Sequence, residues 1–258
     1  MIESARPGMA ASWAAAGMLA PMLEPEHAAG VIAAMTRAVR IPVTVKMRAG
    51  WNDTDRNAPE LARRVQDAGA AAVTIHGRTA QQAYTGTADW DLVTRVAQDL
   101  SIPVFGSGDC IEPQQVVDRM RSGVSGVLVG RGVLRNPWIL SQAMDIAAGR
   151  DAREVSMADR GRFLLDYIEL LLNERVDEAD GFRHVAPGVS GATVARGRER
   201  WVINKLRALC SWYSKGLDGG SQLRVRVNSA ESIGQLREIV DEFFLAGAPS
   251  SHTRVVSA

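Results

Sequence analysis

Apolar and polar positions along this chain change rhythm several times, and the changes mark out its elements. From Glu24 to Arg40 the apolar residues Ala28, Val31, Ile32, Met35 and Val39 recur at helical spacing. Pro25 sits near the first turn, where proline is tolerated. Ile41-Pro42 breaks that helix, and Val43-Thr44-Val45 reads as a strand. Pro59 to Ala68 predicts the next helix, closed by Gly69. A β-branched run, Val73-Thr74-Ile75, ends abruptly in His76-Gly77-Arg78-Thr79. Asp89 to Leu100 then predicts a helix. Strand 103–105 runs into the turn Gly106-Ser107-Gly108-Asp109, and Pro113 opens a helix that ends near Ser122-Gly123. Strand 126–129 runs into Gly130-Arg131-Gly132, and Asn136-Pro137-Trp138 begins a further helix.

Strand starts near 43, 73, 103 and 127 give a period of roughly 25–30 residues, that of successive βα units in a parallel barrel or doubly wound sheet. No GxGxxG follows the first strand, which argues against a flat dinucleotide-binding sheet. Glycine-rich turns after the last two strands stand where parallel barrels place a phosphate site. After Gly149 the strand rhythm stops. Residues 156–174 predict a strongly amphipathic helix, 176–195 a loop or insertion, and 196–215 and 229–246 two more helices. The α/β part therefore gives way to an all-helical part near residue 150. Residues 1–23 are rich in Ala, Met and Gly and carry no clear pattern.

With 258 residues the chain can hold one large domain or two smaller ones. An apolar fraction of 46% and a charged fraction of 23% are those of a globular protein. A net charge of +1 makes no global argument for or against nucleic acid. Cys110 and Cys210 lack CxxC or metal-like spacing and read as reduced thiols. No apolar run reaches the roughly 18 residues that span a bilayer. The amino terminus lacks signal-peptide organisation. The expected location is the cytoplasm.

The candidate chemistry lies at strand ends. Gly108-Asp109 and Gly130-Arg131 end consecutive strands, and backbone amides at two such turns, backed by a guanidinium, suit a phosphate. Lys46 shares a strand face with Thr44, opposite Val43 and Val45. A lysine inside a barrel implies an anionic or electron-rich partner, against the alternative of a side chain snorkelling at the rim. His76 and Arg78 occupy the equivalent place on the next strand. Between Arg196 and Arg226 the basic residues, among them Arg196, Arg198, Arg200 and Lys205, outnumber the acids Glu199 and Asp218. Trp201, Trp212 and Tyr213 are interleaved with them. This fits an RNA backbone with stacked bases, or equally a solvated helix face over a core of Trp201, Leu206 and Leu209.

The motifs PVTVKMRAGW at 42–51, TIHGRT with YTGTADW at 74–90, IPVFGSGD at 102–109 and VLVGRGVLRNPWI at 127–139 resemble those of the tRNA-dihydrouridine synthase family. The likeness continues loosely through WVINKLRALCSWYSKG at 201–216. It implies the carboxyl-terminal part of a (β/α)8 TIM barrel, about four βα units, as a partial FMN-binding domain over 1–150. A small helical tRNA-binding domain would occupy 151–258. The resemblance further implies FMN-dependent reduction of uridine to 5,6-dihydrouridine in tRNA, with NADPH as reductant. Lys46 and His76 would contact the isoalloxazine. Ser107, Gly108, Asp109, Gly130 and Arg131 would hold the phosphate. Arg78, Arg196, Arg198, Arg200 and Lys205 would face substrate. Ser107 stands where the family usually carries Asn, and Arg135 where it usually carries Gly.

In the family, four strands precede the one that begins near 43, and a catalytic cysteine acts as general acid from an NxGCP turn. Neither Cys110 nor Cys210 matches that position, so the expectation is a truncated chain whose catalytic cysteine would precede residue 1. Four strands do not close a barrel, which leaves a sheet edge open to self-association and predicts weak FMN binding. The alternatives are a non-catalytic tRNA-binding half-barrel, and a phosphate-binding lyase or isomerase. The latter explains the glycine turns but not HGRT…ADW.

Overall fold

The computed structural model describes residues 24–173 and 191–246, with 191–196 by their backbone alone. The chain divides into two compact units between Ala152 and Arg153. The first is an α/β fold built on a four-stranded parallel sheet. Helix α1 (Pro25–Ala38) precedes β1 (Thr44–Arg48); then follow α2 (Ala58–Asp67), β2 (Ala72–His76), α3 (Trp90–Asp99), β3 (Val104–Ser107), α4 (Pro113–Met120) and β4 (Gly126–Leu128). A short helix α5 (Arg131–Arg135) and α6 (Ile139–Ala147) complete the unit. Strand order is β1-β2-β3-β4 with all pairs parallel, so α2, α3 and α4 are the crossovers that parallel pairing requires.

The register sorts the side chains by face. Val45 pairs with Val73 and Val73 with Val104, while Met47 pairs with Ile75 and Ile75 with Gly106. All of these except Gly106 belong to a buried apolar cluster with Leu61 and Val65 of α2, Trp90, Val93 and Val96 of α3, and Val116 of α4. Gly106 is small by necessity, because a Cβ there would stand 2.2 Å from the Trp90 ring. The other face carries Thr44, Lys46, Arg48, Thr74, His76, Phe105 and Ser107, which are partly or fully exposed. Successive side chains on a strand alternate sides, so this polar set follows directly from the apolar one.

The second unit is helical: α7 (Met157–Asn173), α8 (Gly191–Tyr213), α9 (Gly220–Ser229), α10 (Ile233–Val240) and a π-helical turn at Asp241–Leu245. Its core gathers Leu164, Ile168, Leu206, Leu223, Leu236 and Phe244 around Tyr213. The Tyr213 ring lies 5.7 Å from Phe163 and 6.3 Å from Phe244, and its hydroxyl donates to the Arg160 carbonyl at 3.0 Å.

Two expectations change here. Helix α8 begins at Gly191 rather than 196, so its first turn falls in the stretch read as loop; the rest of that stretch, from 176 to 190, lies outside the described residues. The helix expected over 229–246 starts at Ile233 instead, and α9 over Gly220–Ser229 falls where no helix was expected. Ser232 caps the helix that starts at Ile233 by accepting the Gln235 amide at 3.2 Å.

Candidate active site

Strand register sets a polar row across the carboxyl end of the sheet. Arg48 lies beside His76, His76 beside Ser107 and Ser107 beside Leu128; one step back, Lys46 lies beside Thr74 and Thr74 beside Phe105. The sheet thus brings Lys46, Arg48, His76 and Ser107 onto one open face.

The segment after β2 is held over this end by two arginines. Arg78 is only 3% exposed. Its Nε donates to the Thr85 carbonyl at 2.9 Å and its Nη2 to the Gly86 carbonyl at 2.6 Å. The same Nη2 lies 2.7 Å from Asp109 Oδ1, and Nη1 is buried without a partner. Arg48 was not singled out by sequence, although its place two residues after Lys46 puts it on the same face. Its Nη1 donates to the carbonyls of Thr79 at 3.0 Å and Ala83 at 3.1 Å.

Most of HGRT…ADW is bracing. A Cβ at Gly77 would stand 2.9 Å from Asp89 backbone atoms, so only glycine admits this approach. Asp89 caps α3 through the Leu92 amide at 2.9 Å and pairs with Arg56 at 2.8 Å. The Trp90 indole N–H donates to the Gly108 carbonyl at 3.0 Å. Asp109 adopts φ +52°, a left-handed conformation that Asp tolerates better than most residues. Its Oδ2 accepts the Ala88 amide at 2.6 Å, and its Oδ1 lies 4.0 Å from Arg131 Nη2. The guanidinium of Arg131 also stacks on Tyr84, 4.8 Å from the ring centroid.

Electrostatically the cluster is cationic, with Asp109 the acid paired into it. Burial, reinforced by Arg48, Lys46 and Arg78, outweighs the opposing Asp109 charge and pushes His76 down to about 4. Its Nδ1 accepts the Arg78 amide at 3.2 Å, which places the proton of the neutral ring on Nε2. Partial desolvation, then the like charge of Arg48, holds the Lys46 ammonium below its ordinary value although the residue is exposed. Partial burial raises Asp109, but the Ala88 amide and Arg78 outweigh it and hold the carboxyl below its usual range.

The depressed His76 value has a consequence in solution. Protonation is disfavoured in the fold, so the stability His76 lends is complete above about pH 6.5 and is lost as pH falls toward 4. In an NMR titration the His76 ring resonances are expected to stay those of the Nε2–H tautomer from pH 8 to 5.5. An inflection near 6.5 would show an ordinary, solvated imidazole.

Gly130 and Gly132 differ although they share one motif. A Cβ at Gly130 would meet nothing within 4 Å, whereas at Gly132 it would stand 2.2 Å from the Cys110 carbonyl oxygen. The first leaves open space beside the turn and the second packs backbone against backbone. Both cysteines are buried, and burial pushes the Cys110 thiol up to about 11 and that of Cys210 up to about 12.

In the helical unit the four basic residues singled out by sequence separate. Arg198 donates Nε and Nη2 to the Leu171 carbonyl at 3.2 and 3.0 Å, tying α8 to the last turn of α7. Arg200 is exposed, and Lys205 stacks on Trp201 at 5.3 Å. The side chain of Arg196 lies outside the described residues. Lys215 repeats the stacking on Trp212 at 3.6 Å. Trp201, Lys205, Ala208 and Trp212 follow the helical repeat of α8, which puts them on one stripe, and Lys215 lies in the turn just past its end. Arg226 pairs with Glu242 and Arg237 with Glu169, so those charges are balanced within the unit. Among the described residues no group of acids, histidines and cysteines could hold a metal, and no helix is long and apolar enough to cross a membrane.

In α/β proteins with a parallel sheet, ligands bind outside the carboxyl ends of the strands, which is where this sheet gathers its basic and hydroxyl side chains. The family model described as Dihydrouridine synthase (Dus) matches residues 17–245. A probable tRNA-dihydrouridine synthase of Rickettsia prowazekii is 35% identical over 227 residues, covering 87% of this chain and 63% of that protein. tRNA-dihydrouridine synthase B of Xanthomonas campestris pv. campestris is 32% identical over 244 residues, covering 92% of this chain and 66% of that one. A probable tRNA-dihydrouridine synthase of Rhizobium leguminosarum bv. phaseoli is 40% identical over 151 residues, 57% of this chain and 47% of the relative. The chain belongs to the dihydrouridine synthase family. It spans less than two thirds of the length of these relatives.

Proposed function

We propose that this chain supplies the FMN-binding wall and the tRNA-binding helices of a tRNA-dihydrouridine synthase, which reduces uridine in tRNA to 5,6-dihydrouridine with NADPH. The observation that carries the cofactor reading is the open face at the strand ends. Among the described residues Lys46 has no acidic partner, the His76 Nε2–H has no acceptor, and the nearby Arg78 keeps a buried, unpartnered Nη1. These donors fit a flavin, which needs hydrogen bonds to ring heteroatoms and countercharge for its phosphate.

Bound FMN would carry the hydride chemistry. Lys46 and His76 would orient its ring system by donating hydrogen bonds, His76 doing so as a neutral imidazole across physiological pH. The turns at Ser107-Gly108-Asp109 and Gly130-Arg131 would take the phosphate through their amides and the Arg131 guanidinium. The proton donor is assigned to neither cysteine of this chain, because a buried thiol with a raised pKa transfers its proton poorly near neutral pH. The strands are read as the later part of a barrel whose interior the open face would line, and a chain that spans less than two thirds of its relatives leaves room for further strands in the longer proteins.

The helical unit is read as the tRNA contact because Trp201–Lys205 on α8 and Trp212–Lys215 at its end offer two aromatic-cation steps. The two buried thiols favour a second reading, tRNA binding without reduction; it predicts tRNA gel shifts lost on truncation near residue 150 and no product dihydrouridine.

The cofactor reading is tested by titrating FMN into the 258-residue protein while following flavin fluorescence. Saturable quenching is expected, tighter for FMN than for riboflavin. Lys46→Met is expected to weaken it by about ten- to a hundredfold, as loss of a charged hydrogen bond does. Equal affinity for the wild-type and the variant would remove Lys46 from the site.

A further inference from the structure

We propose that Asp109 is a positioning residue: its carboxylate bolts the segment after β2 to the turn after β3 and thereby sets Arg78 and Arg131 for an anionic ligand. The idea deepens the flavin reading given above and rests on it for the identity of the ligand. It departs from the expectation that Asp109 itself holds the phosphate. A carboxylate repels a phosphate, and this one is already engaged on both oxygens. Oδ2 accepts the Ala88 amide at 2.6 Å, and Oδ1 faces Arg78 at 2.7 Å and Arg131 at 4.0 Å.

The connections run from this carboxylate to both neighbouring segments. Through Ala88 it fixes the residue before Asp89, which caps α3 and anchors Arg56. Through Arg78 it fixes the Thr85 and Gly86 carbonyls, and so the path of the segment that carries Tyr84 onto Arg131. Trp90 closes the loop of contacts by donating to the Gly108 carbonyl, one residue before Asp109. Arg78 is buried, with three donors held by Asp109, Thr85 and Gly86, and loses part of that hold when the carboxylate is removed.

The competing explanation is conformational. Asp109 has φ +52°, so an Asp could stand there merely because it tolerates the left-handed region. Glycine separates the two accounts, since it adopts this φ without strain and removes every carboxylate contact. Asparagine keeps the conformation and one acceptor but loses the charge.

The experiment is amide hydrogen exchange on the ligand-free 258-residue protein and on Asp109→Gly and Asp109→Asn, paired with FMN titration of each. For Asp109→Gly, exchange at Ala88 and across 79–87 is expected to rise at least tenfold, with the strands β1–β3 unchanged. FMN affinity is expected to fall at least tenfold. Asp109→Asn is expected to keep the Ala88 protection and to lose affinity by a smaller factor. Wild-type exchange in the glycine variant overturns the proposal, whatever FMN does. If exchange responds as expected but the wild-type protein binds no FMN, the positioning role stands and the flavin reading fails. If exchange responds and FMN affinity is unchanged, the bolt does not serve the ligand, and the proposal is wrong.

Discussion

Replacing Arg78 with methionine is expected to destabilise the α/β unit by about 3 kcal/mol, the lower end of the range for removing one member of a buried ion pair. The lower end applies because Arg78 is 3% exposed but its partner Asp109 is 28% exposed. Methionine fills most of the volume, so the loss is electrostatic. Asp109 is left with Arg131 at 4.0 Å, and the Thr85 and Gly86 carbonyls lose their donor. In a unit of this size the melting temperature should fall by roughly 6–12 °C. Arg78→Lys is expected to recover little of it, since an ammonium cannot reach three acceptors in the fixed fork of a guanidinium. Thermal denaturation of the two variants checks this. A methionine variant within 1 °C of the wild-type protein would mean that Arg78 braces nothing and is held only for a ligand.

The second large effect is expected at Gly132. A Cβ there would stand 2.2 Å from the Cys110 carbonyl oxygen, 2.9 Å from Val129 Cγ1 and 3.1 Å from Ile139 Cδ1. Two side chains can yield, but the carbonyl belongs to the turn that carries Asp109. Gly132→Ala is therefore expected to cost about 3 kcal/mol, the upper end of ordinary overpacking. Gly130→Ala is the counterpart. With nothing within 4 Å the methyl meets no clash, but φ −94° and ψ −94° lie outside the favoured regions, so the variant should cost about 1 kcal/mol. Its methyl would intrude on the space proposed for the phosphate, so FMN affinity should fall while the melting temperature drops by less than in Gly132→Ala. The pair separates fold from site within three residues. Equal melting temperatures for the two variants would contradict it.

The strand–helix order was legible because parallel strands buried against helices leave apolar runs, and each of the four runs here stops at a polar or glycine turn. Alternation also put Lys46 and His76 on one side of the sheet, where the register places them. What sequence could not separate was bracing from chemistry. Arg78 and Trp90 stand in the same motif as His76, and Asp109 ends the next one. Their partners Gly86, Arg78 and Gly108 become neighbours only once β2 and β3 pair. The family resemblance made Arg78 a substrate contact, and the structure adds burial and hydrogen bonds to Thr85, Gly86 and Asp109 that sequence could not show. Arg198 repeats the lesson in the helical unit, where a basic residue expected to face RNA ties α8 to α7. The helix start at Ile233 did carry a local signal, since Ser232 with Gln235 has the spacing of a capping box. The start of α8 at Gly191 had none, because glycines at 188, 191 and 197 favour a loop on propensity alone.

The measurement that bears most directly on the central claim is a ¹⁵N-amide NMR titration of the 258-residue protein with FMN. The account predicts saturable shifts at Lys46, His76, Gly108, Asp109, Gly130 and Arg131, with α7 to α10 unmoved. Saturable shifts confined to other residues, or no shifts at millimolar FMN, would contradict the assignment of the strand-end face as the flavin site.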